Sequence, residues 1–180
     1  MKGNEEMEIE RKFTVRSLPD KLKTYASHLI EQAYLNTDPV IRIRKQDNDY
    51  YLTYKGKGLL AREEYNLPLN EESYYHLRQK ADGNIISKTR YLIPIQMPPY
   101  AENAALTEQE KNTPLMIELD VFNAPFAPLV IAEVEFPTEN AAHAFLPPSW
   151  FAQDVTYDPK YHNSALSRQP MEDTETRNMP

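Results

Sequence analysis

The stretch "MEIERKF" (residues 7–13) places three charged side chains in register. Glu8, Glu10 and Lys12 are two residues apart, with other side chains between them. Side chains alternate between the two faces of a β-strand, so a strand here would point all three charges the same way. Either water or opposite charges must then stabilise these three side chains, and the rest of the sequence indicates which of the two does so.

Pairs of charged residues with this spacing recur along the chain. For any one strand, a sheet face in water explains such a pair more simply than a buried site does. Taken together the pairs are harder to explain in this way, because a solvated face usually mixes small polar residues with charges. Acidic pairs lie on the first strand and on the last two, whereas the strands between them are mostly basic. The further charges are Arg42 and Arg44, Lys55, Arg62 and Glu64, Lys88 and Arg90, Glu118 and Asp120, and Glu133 and Glu135.

Alternating apolar and polar residues predict about eight strands, mostly connected as hairpins. The sequence therefore indicates an α+β protein: an eight-stranded antiparallel β-barrel with helices packed outside. The interior of such a barrel holds side chains or one small ligand. We expect the charged faces of the strands to line this interior. The predicted helices cover 18–30, 71–80 and 139–146, with short helices near 107–111 and 162–166. The predicted strands cover 7–15, a region from 34, 40–46, 50–56, 62–69, 85–95, 115–122 and 129–136, with a turn at 82–84.

Length and composition indicate one globular domain. The chain has 180 residues, of which 41% are hydrophobic and 26% charged, and it contains no cysteine. We expect residues 1–168 to form the domain and 169–180, which are rich in polar residues, to form a flexible C-terminal tail. The absence of cysteine excludes disulfides and thiolate sites and fits a reducing compartment. No apolar run approaches the roughly 18 residues of a membrane span, so we expect a cytoplasmic protein with no membrane partner.

The charge balance restricts the chemical class of the ligand. The net charge of −7 argues against nucleic-acid binding, which requires a surplus of Lys and Arg. A small anion remains compatible, because a site can be basic inside an acidic protein. Isolated buried charges are costly, so a charged interior must be wet and must bind counter-ions. Arg and Lys suit phosphate oxygens, and carboxylates suit Mg²⁺ or Mn²⁺. The predicted ligand is a metal complex of a small-molecule polyphosphate.

The candidate site residues follow from this chemistry. The basic residues expected to bind phosphate are Lys12, Arg42, Arg44, Lys55, Arg62, Lys88 and Arg90. The carboxylates expected to bind metal are Glu8, Glu10, Glu64, Glu118, Asp120, Glu133 and Glu135. Lys12 or Lys88 would also act as the catalytic base if neighbouring cations lowered its pKa. The histidines lack ligand spacing, and we interpret them and Tyr34 as packing or surface residues.

The order of these motifs resembles that of the CYTH domain, the family of triphosphate tunnel metalloenzymes. The resemblance extends from about Glu8 to about Leu166. It is carried by E-x-E-x-K (8–12), R-I-R (42–44), T-Y-K-G (53–56), Glu64, K-T-R (88–90), I-E-L-D (117–120), A-E-V-E-F (132–136) and the closing segment "DVTYDPKYHNSAL" (154–166).

This resemblance implies a CYTH-like domain that hydrolyses triphosphates with Mg²⁺ or Mn²⁺, most similar to bacterial inorganic triphosphatases. The expected reaction converts tripolyphosphate to phosphate and diphosphate. The implied metal regions are Glu8 with Glu10, and Glu118 or Asp120 with Glu133 and Glu135. A class IV adenylate cyclase and a thiamine triphosphatase are the alternative enzymes, and a polyphosphate-binding protein is the non-enzymatic alternative. The oligomeric state stays open, with a homodimer among the alternatives.

Overall fold

A computed structural model describes residues 6–170, in which nine strands form one antiparallel sheet. The strand order is β5-β4-β3-β2-β6-β7-β8-β1-β9, and β1 also pairs with β5. That pairing closes the first eight strands into a barrel, which confirms the expected fold, and leaves β9 as an addition at the edge of β1. The strands are β1 Glu6–Val15, β2 Ala26–Thr37, β3 Val40–Gln46, β4 Asp49–Lys55, β5 Ala61–Leu69, β6 Asp82–Ile95, β7 Leu115–Phe122, β8 Val130–Glu135 and β9 Phe151–Asp154.

Short helices connect the strands. They are α1 Glu71–Arg78, α2 Glu108–Asn112, α3 Glu139–Ala144 and α4 Asn163–Leu166, with 3-10 turns at Leu22–Thr24 and Pro159–Tyr161. The Asn70 and Thr138 side chains cap α1 and α3 by accepting backbone N–H groups. Four of the predicted helices are therefore confirmed. Within residues 6–170, no helix is long and apolar enough to cross a membrane.

The predicted helix over 18–30 is wrong. Only Leu22–Thr24 form a helical turn there, and β2 begins at Ala26. Leu29 and Ile30, which helical spacing places on one face, point to opposite faces and are 66% and 2% exposed. Pairing with β3 on one side and β6 on the other satisfies the β2 backbone, so tertiary pairing overrides the local helical pattern.

Two smaller features also differ from the prediction. Asp82 to Asn84 were expected to form a turn but begin β6, where Asp82 pairs with Tyr34. Strand β9 was not predicted, since four residues give too short a pattern to recognise. The predicted tail over 169–180 lies, beyond Pro170, outside the described residues.

The two faces of the barrel have opposite chemistry. Outside, apolar side chains such as Phe13, Leu119 and Val134 pack with α3 residues including Ala141 into the largest hydrophobic cluster. Inside lie buried charges. A second apolar cluster fills one end of the interior. Its strand residues lie on the inner face of the sheet, where the side chains of paired residues meet. It consists of Tyr34, Ile86, Phe122, Ile131 and Leu166, the last from α4.

Candidate active site

The predicted charges meet in one cavity inside the barrel. Its volume is about 60 Å³, enough for only a few water molecules, because ion pairs fill most of the interior. Eleven of the fourteen candidate residues line it: Glu8, Glu10, Lys12, Arg42, Arg44, Lys55, Arg62, Glu64, Arg90, Glu118 and Glu133. The charged face of "MEIERKF" therefore forms part of the inner wall of the barrel. Many of the opposite charges that neutralise its side chains come from other strands.

The three remaining candidates lie elsewhere. Lys88 and Asp120 are completely buried and form an ion pair with each other, against Arg90. Glu135 is exposed at the end of β8, paired in register with Glu10. The alternation of β8 places it on the same face as Glu133, but it does not line the cavity.

Five of the seven cations are held by carboxylates in what we call the ion-pair network. It comprises Lys12, Lys55, Arg62, Lys88 and Arg90 with Glu8, Glu10, Glu64, Glu118, Asp120 and Glu133. Arg62 bridges Glu8 and Glu10, with Nε–Oε2 and Nη2–Oε1 distances of 3.1 and 2.8 Å. Lys12 in turn links Glu10, 2.9 Å away, to Glu133.

The second half of the ion-pair network is centred on Arg90. Its Nε and Nη2 each donate to Asp120 at 2.7 Å, and Nη2 donates to Glu133 at 2.6 Å. Nη1 donates to Glu118. A guanidinium with several acceptors in a buried site is a strong arrangement, since charge-assisted hydrogen bonds are worth about twice a neutral one.

The ion-pair network gives different pKa values to Lys12 and Lys88, the two residues predicted as a catalytic base. Burial lowers the pKa of Lys12, but Glu10 and Glu133 outweigh it, so the pKa lies above its ordinary value. Burial, with Arg90 and Arg44 nearby, lowers the pKa of Lys88 to about 8 despite Asp120. Lys88 therefore has a pKa suited to proton transfer near neutral pH and Lys12 does not. Lys88 does not line the cavity in this arrangement, so access to it requires a rearrangement of Arg90 or Asp120.

The other two cations, Arg42 and Arg44 of β3, form what we call the arginine pair. Arg42 Nη2 donates to Thr53 Oγ1 at 3.0 Å. Arg44 Nε and Nη2 both donate to Gln32 Oε1, at 3.2 and 3.1 Å, and Nη1 donates to the Tyr51 hydroxyl at 3.3 Å. Within residues 6–170, no carboxylate oxygen lies within 4.0 Å of either guanidinium.

Comparison with known proteins identifies the family. The CYTH domain matches residues 6–145, more than three quarters of the chain. This chain belongs to the CYTH domain family. A protein of Nitrosomonas europaea named inorganic triphosphatase is 37% identical over 163 residues, which cover 89% of this chain and 96% of the relative. An inorganic triphosphatase of Acetivibrio thermocellus is 32% identical over 91% of this chain and 94% of the relative.

Solved structures agree with the CYTH assignment. The crystal structure of a protein described as an inorganic triphosphatase matches with a TM-score of 0.61 and 33% sequence identity. The match covers 91% of this chain and 95% of that one.

The sequence did not indicate several further residues that line the cavity. His162, Asn163 and Ser164, near and in α4, line the cavity next to the apolar end cluster. His162 is buried with Nε2 3.2 Å from the Thr156 carbonyl oxygen, and Tyr34 both packs in that cluster and lines the cavity. Gln32 was missed because it falls between the wrongly predicted helix over 18–30 and the predicted strand from 34, although the end of the one and the start of the other belong to β2.

The donor chemistry of the cavity fits a hard divalent cation. Six carboxylates in and around it offer only oxygen ligands, which Mg²⁺ and Mn²⁺ prefer. In this arrangement each is held by an ammonium or guanidinium group, and no three His, Asp or Glu side chains of the described part of the chain converge as a metal site. Metal binding therefore requires carboxylates to exchange their Lys and Arg partners for the ion.

Proposed function

We propose that this CYTH protein is an inorganic triphosphatase that hydrolyses tripolyphosphate to phosphate and diphosphate with Mg²⁺ or Mn²⁺. The observation that carries the proposal is a closed barrel whose small cavity holds both cations and carboxylates. A metal–triphosphate complex is the ligand that can replace both partners of each ion pair at once. Relatives named inorganic triphosphatase, matched over about nine tenths of the chain, support the same substrate.

In this proposal the cations hold the substrate. Arg42 and Arg44 bind one phosphate group, and Lys12, Lys55, Arg62 and Arg90 bind the remainder once their carboxylates are released. Guanidinium forks match pairs of phosphate oxygens and fix the direction of the chain. Phosphoryl transfer depends mainly on such alignment and on neutralising the oxygens, which the lining supplies.

The carboxylates are the proposed metal ligands, with Glu8, Glu10 and Glu64 on one side and Glu118, Asp120, Glu133 and Glu135 on the other. When bound, the divalent cation would neutralise phosphate oxygens and make a nearby water more acidic. Water attacks the terminal phosphorus, the bridging P–O bond breaks, and diphosphate leaves. We propose Lys88 as the acceptor of the water's proton, because its pKa of about 8 leaves a neutral fraction near neutral pH.

We propose a single CYTH-like domain over 1–168, of which the structure describes residues 6–168, and the predicted C-terminal tail over 169–180 lies, beyond Pro170, outside the described residues. A cytoplasmic location is supported by the absence of cysteine, which suits a reducing compartment. The proposed partner is the small-molecule triphosphate.

Initial rates of phosphate release test the proposed function. We expect tripolyphosphate to be hydrolysed with Mg²⁺ or Mn²⁺, faster than ATP or thiamine triphosphate. Tripolyphosphate binding without phosphate release would instead identify a polyphosphate-binding protein, and formation of cyclic AMP from ATP would identify a cyclase.

A matched pair of variants tests the carboxylate face. Glu8→Gln should lower the rate by about 100-fold or more, because the charge it places in the cavity is lost. Glu63→Gln is the control, since Glu63 is exposed on the opposite face of β5, where it pairs in register with Met7. Equal rates for the two variants would exclude Glu8 from the reaction.

A further inference from the structure

The cations of the cavity differ in the charge that compensates them. Each cation of the ion-pair network has at least one carboxylate oxygen within 3.1 Å. Within residues 6–170, the arginine pair has only neutral partners. The buried Nε of Arg42 has no hydrogen-bond partner there, so part of its donor capacity is unused.

The arginine pair keeps its charge in spite of this environment. Burial and the adjacent Arg44 lower the pKa of Arg42, opposed mainly by Tyr34 and by Glu64 from beyond ion-pair distance. A guanidinium still does not lose its proton in a protein. Two positive charges therefore lie side by side on one wall, and an anion between them would relieve a repulsion that Glu64, beyond ion-pair distance, only partly offsets.

Gln32 accounts for the difference between the arginine pair and the network. Its side chain is completely buried, and its Oε1 accepts two N–H groups of Arg44. A glutamate at this position would make the same two hydrogen bonds and would add the missing negative charge. The amide Nε2 lies 3.4 Å from the Tyr34 hydroxyl, which holds the amide in this orientation. Gln32 thus orients Arg44 without neutralising it.

We propose that Gln32 is a positioning residue that keeps Arg44 free of a counter-ion, so that the arginine pair binds an inorganic phosphate group without a divalent cation. The five cations of the ion-pair network become available only when a divalent cation takes their carboxylates. The anion therefore enters first at the arginine pair, and the metal completes the site. The inference deepens the proposed function and rests on it only for the identity of the full substrate.

Binding without metal is the direct test. The full chain is passed over a chelating resin and titrated with tripolyphosphate in a calorimeter at fixed ionic strength, because screening changes with salt. We expect one site in the wild type. Gln32→Glu should weaken metal-free binding by about 10- to 100-fold, the range of one charge-assisted hydrogen bond.

Gln46→Glu is the matched control. It makes the same chemical change on the same inner face, one position after Arg44 in the alternation, but Gln46 Oε1 accepts from Tyr51 and not from Arg44. Its metal-free affinity should stay within about 3-fold of the wild type, because the added charge is partly exposed and screened. Equal losses in the two variants would overturn the role of Gln32, since charge alone would then explain the effect.

A second pair of variants keeps the proposal testable if Gln32→Glu does not fold. Arg44→Gln and Lys12→Gln each remove one positive charge, but only Arg44 is proposed to bind without metal. We expect Arg44→Gln to lose at least about 10-fold more metal-free affinity than Lys12→Gln. Wild-type protein that hydrolyses tripolyphosphate with Mg²⁺ but does not bind it without metal would overturn the inference. Protein that binds without metal but never releases phosphate would refute the proposed function and leave the inference intact.

Discussion

The ion-pair network and the arginine pair lie in the same barrel and use the same kinds of cation, yet they are stabilised differently. In the network, carboxylates neutralise each Lys and Arg, and the pairs fill the cavity. In the arginine pair, the hydroxyls of Thr53 and Tyr51 and the amide of Gln32 supply only dipoles. One region is close to electrically balanced by its own residues, and the other is not.

Because of this difference, we expect the ion-pair network to contribute mainly to stability and the arginine pair mainly to anion binding. A buried cation without a counter-charge is costly, so the network makes a charged barrel interior compatible with folding in the absence of ligand. The arginine pair retains the repulsion that a bound anion relieves. Stability should therefore be most sensitive to substitutions in the network, and anion affinity to substitutions beside the arginine pair.

The largest expected effect on stability is that of Asp120→Ala. Both Asp120 and its partner Lys88 are completely inaccessible to solvent, and removing the carboxylate takes the counter-ion from Lys88 and two charged acceptors from the buried Arg90 guanidinium. Breaking such a pair costs about 3–5 kcal/mol. Urea denaturation at pH 7 measures the loss in the free energy of unfolding.

Glu118→Ala is the control for Asp120→Ala. Glu118 also binds a cation of the network, Arg90, but its side chain is 36% exposed. Water can replace it, so the loss should stay below about 1 kcal/mol. Losses of equal size would mean that burial does not determine which ion pairs stabilise the barrel.

An intermediate effect is expected at Glu64, where the two regions meet. Burial raises the pKa of Glu64, but Lys55 and Arg42 outweigh it and lower the pKa from 4.5 to about 2. Because the unfolded chain then binds more protons, the contribution of Glu64 is complete above pH 4.5 and is lost as the pH falls towards 2. Its size is on the order of 3 kcal/mol.

Unfolding free energies at pH 6 and pH 3 measure this contribution. Glu64→Gln should be less stable than the wild type at pH 6 and should lose less stability on acidification. Glu63→Gln, on the outer face of the same strand, should follow the wild-type pH dependence. A Glu64→Gln protein with the wild-type pH dependence would show that Lys55 and Arg42 do not hold this carboxylate in its charged form.

The sequence predicts the barrel well because its signal is repeated. Each strand that carries a pair of charges also carries the two-residue alternation, and the pairing of neighbours requires those charges to face one interior. Strand β2 contains a single Asp, Glu, Lys or Arg residue, Glu31, and therefore no such charge pair, and the apolar spacing over 18–30 matched a helix. Only the partners of β2 on both sides, which are distant in sequence, determine that it is a strand.

The partners of the candidate residues could not be read from the sequence. Charge type and spacing identified Arg44 and Lys12 equally, and nothing local distinguishes one with a carboxylate partner from one without. That distinction depends on Gln32 and Glu133, which reach these cations across neighbouring strands. The buried position of Lys88 and the exposed position of Glu135 likewise depend on the stagger of the strands around the barrel.

Apart from the control variants, the smallest effect on stability is expected at Thr53, beside the arginine pair. The Thr53 hydroxyl is completely buried, accepts from Arg42 Nη2 and donates to Asn66 Oδ1 at 2.7 Å. Thr53→Val keeps the shape and removes both hydrogen bonds, so about 1–2 kcal/mol should be lost. Thr53→Ser keeps the hydroxyl and should retain most of that difference. Because Arg42 has no ion pair to lose, the cost should stay well below that of Asp120→Ala in the same urea experiment. A loss as large as that of Asp120→Ala would show that hydrogen bonds to neutral groups stabilise a buried guanidinium as strongly as carboxylates do, and the distinction between the two regions would fail.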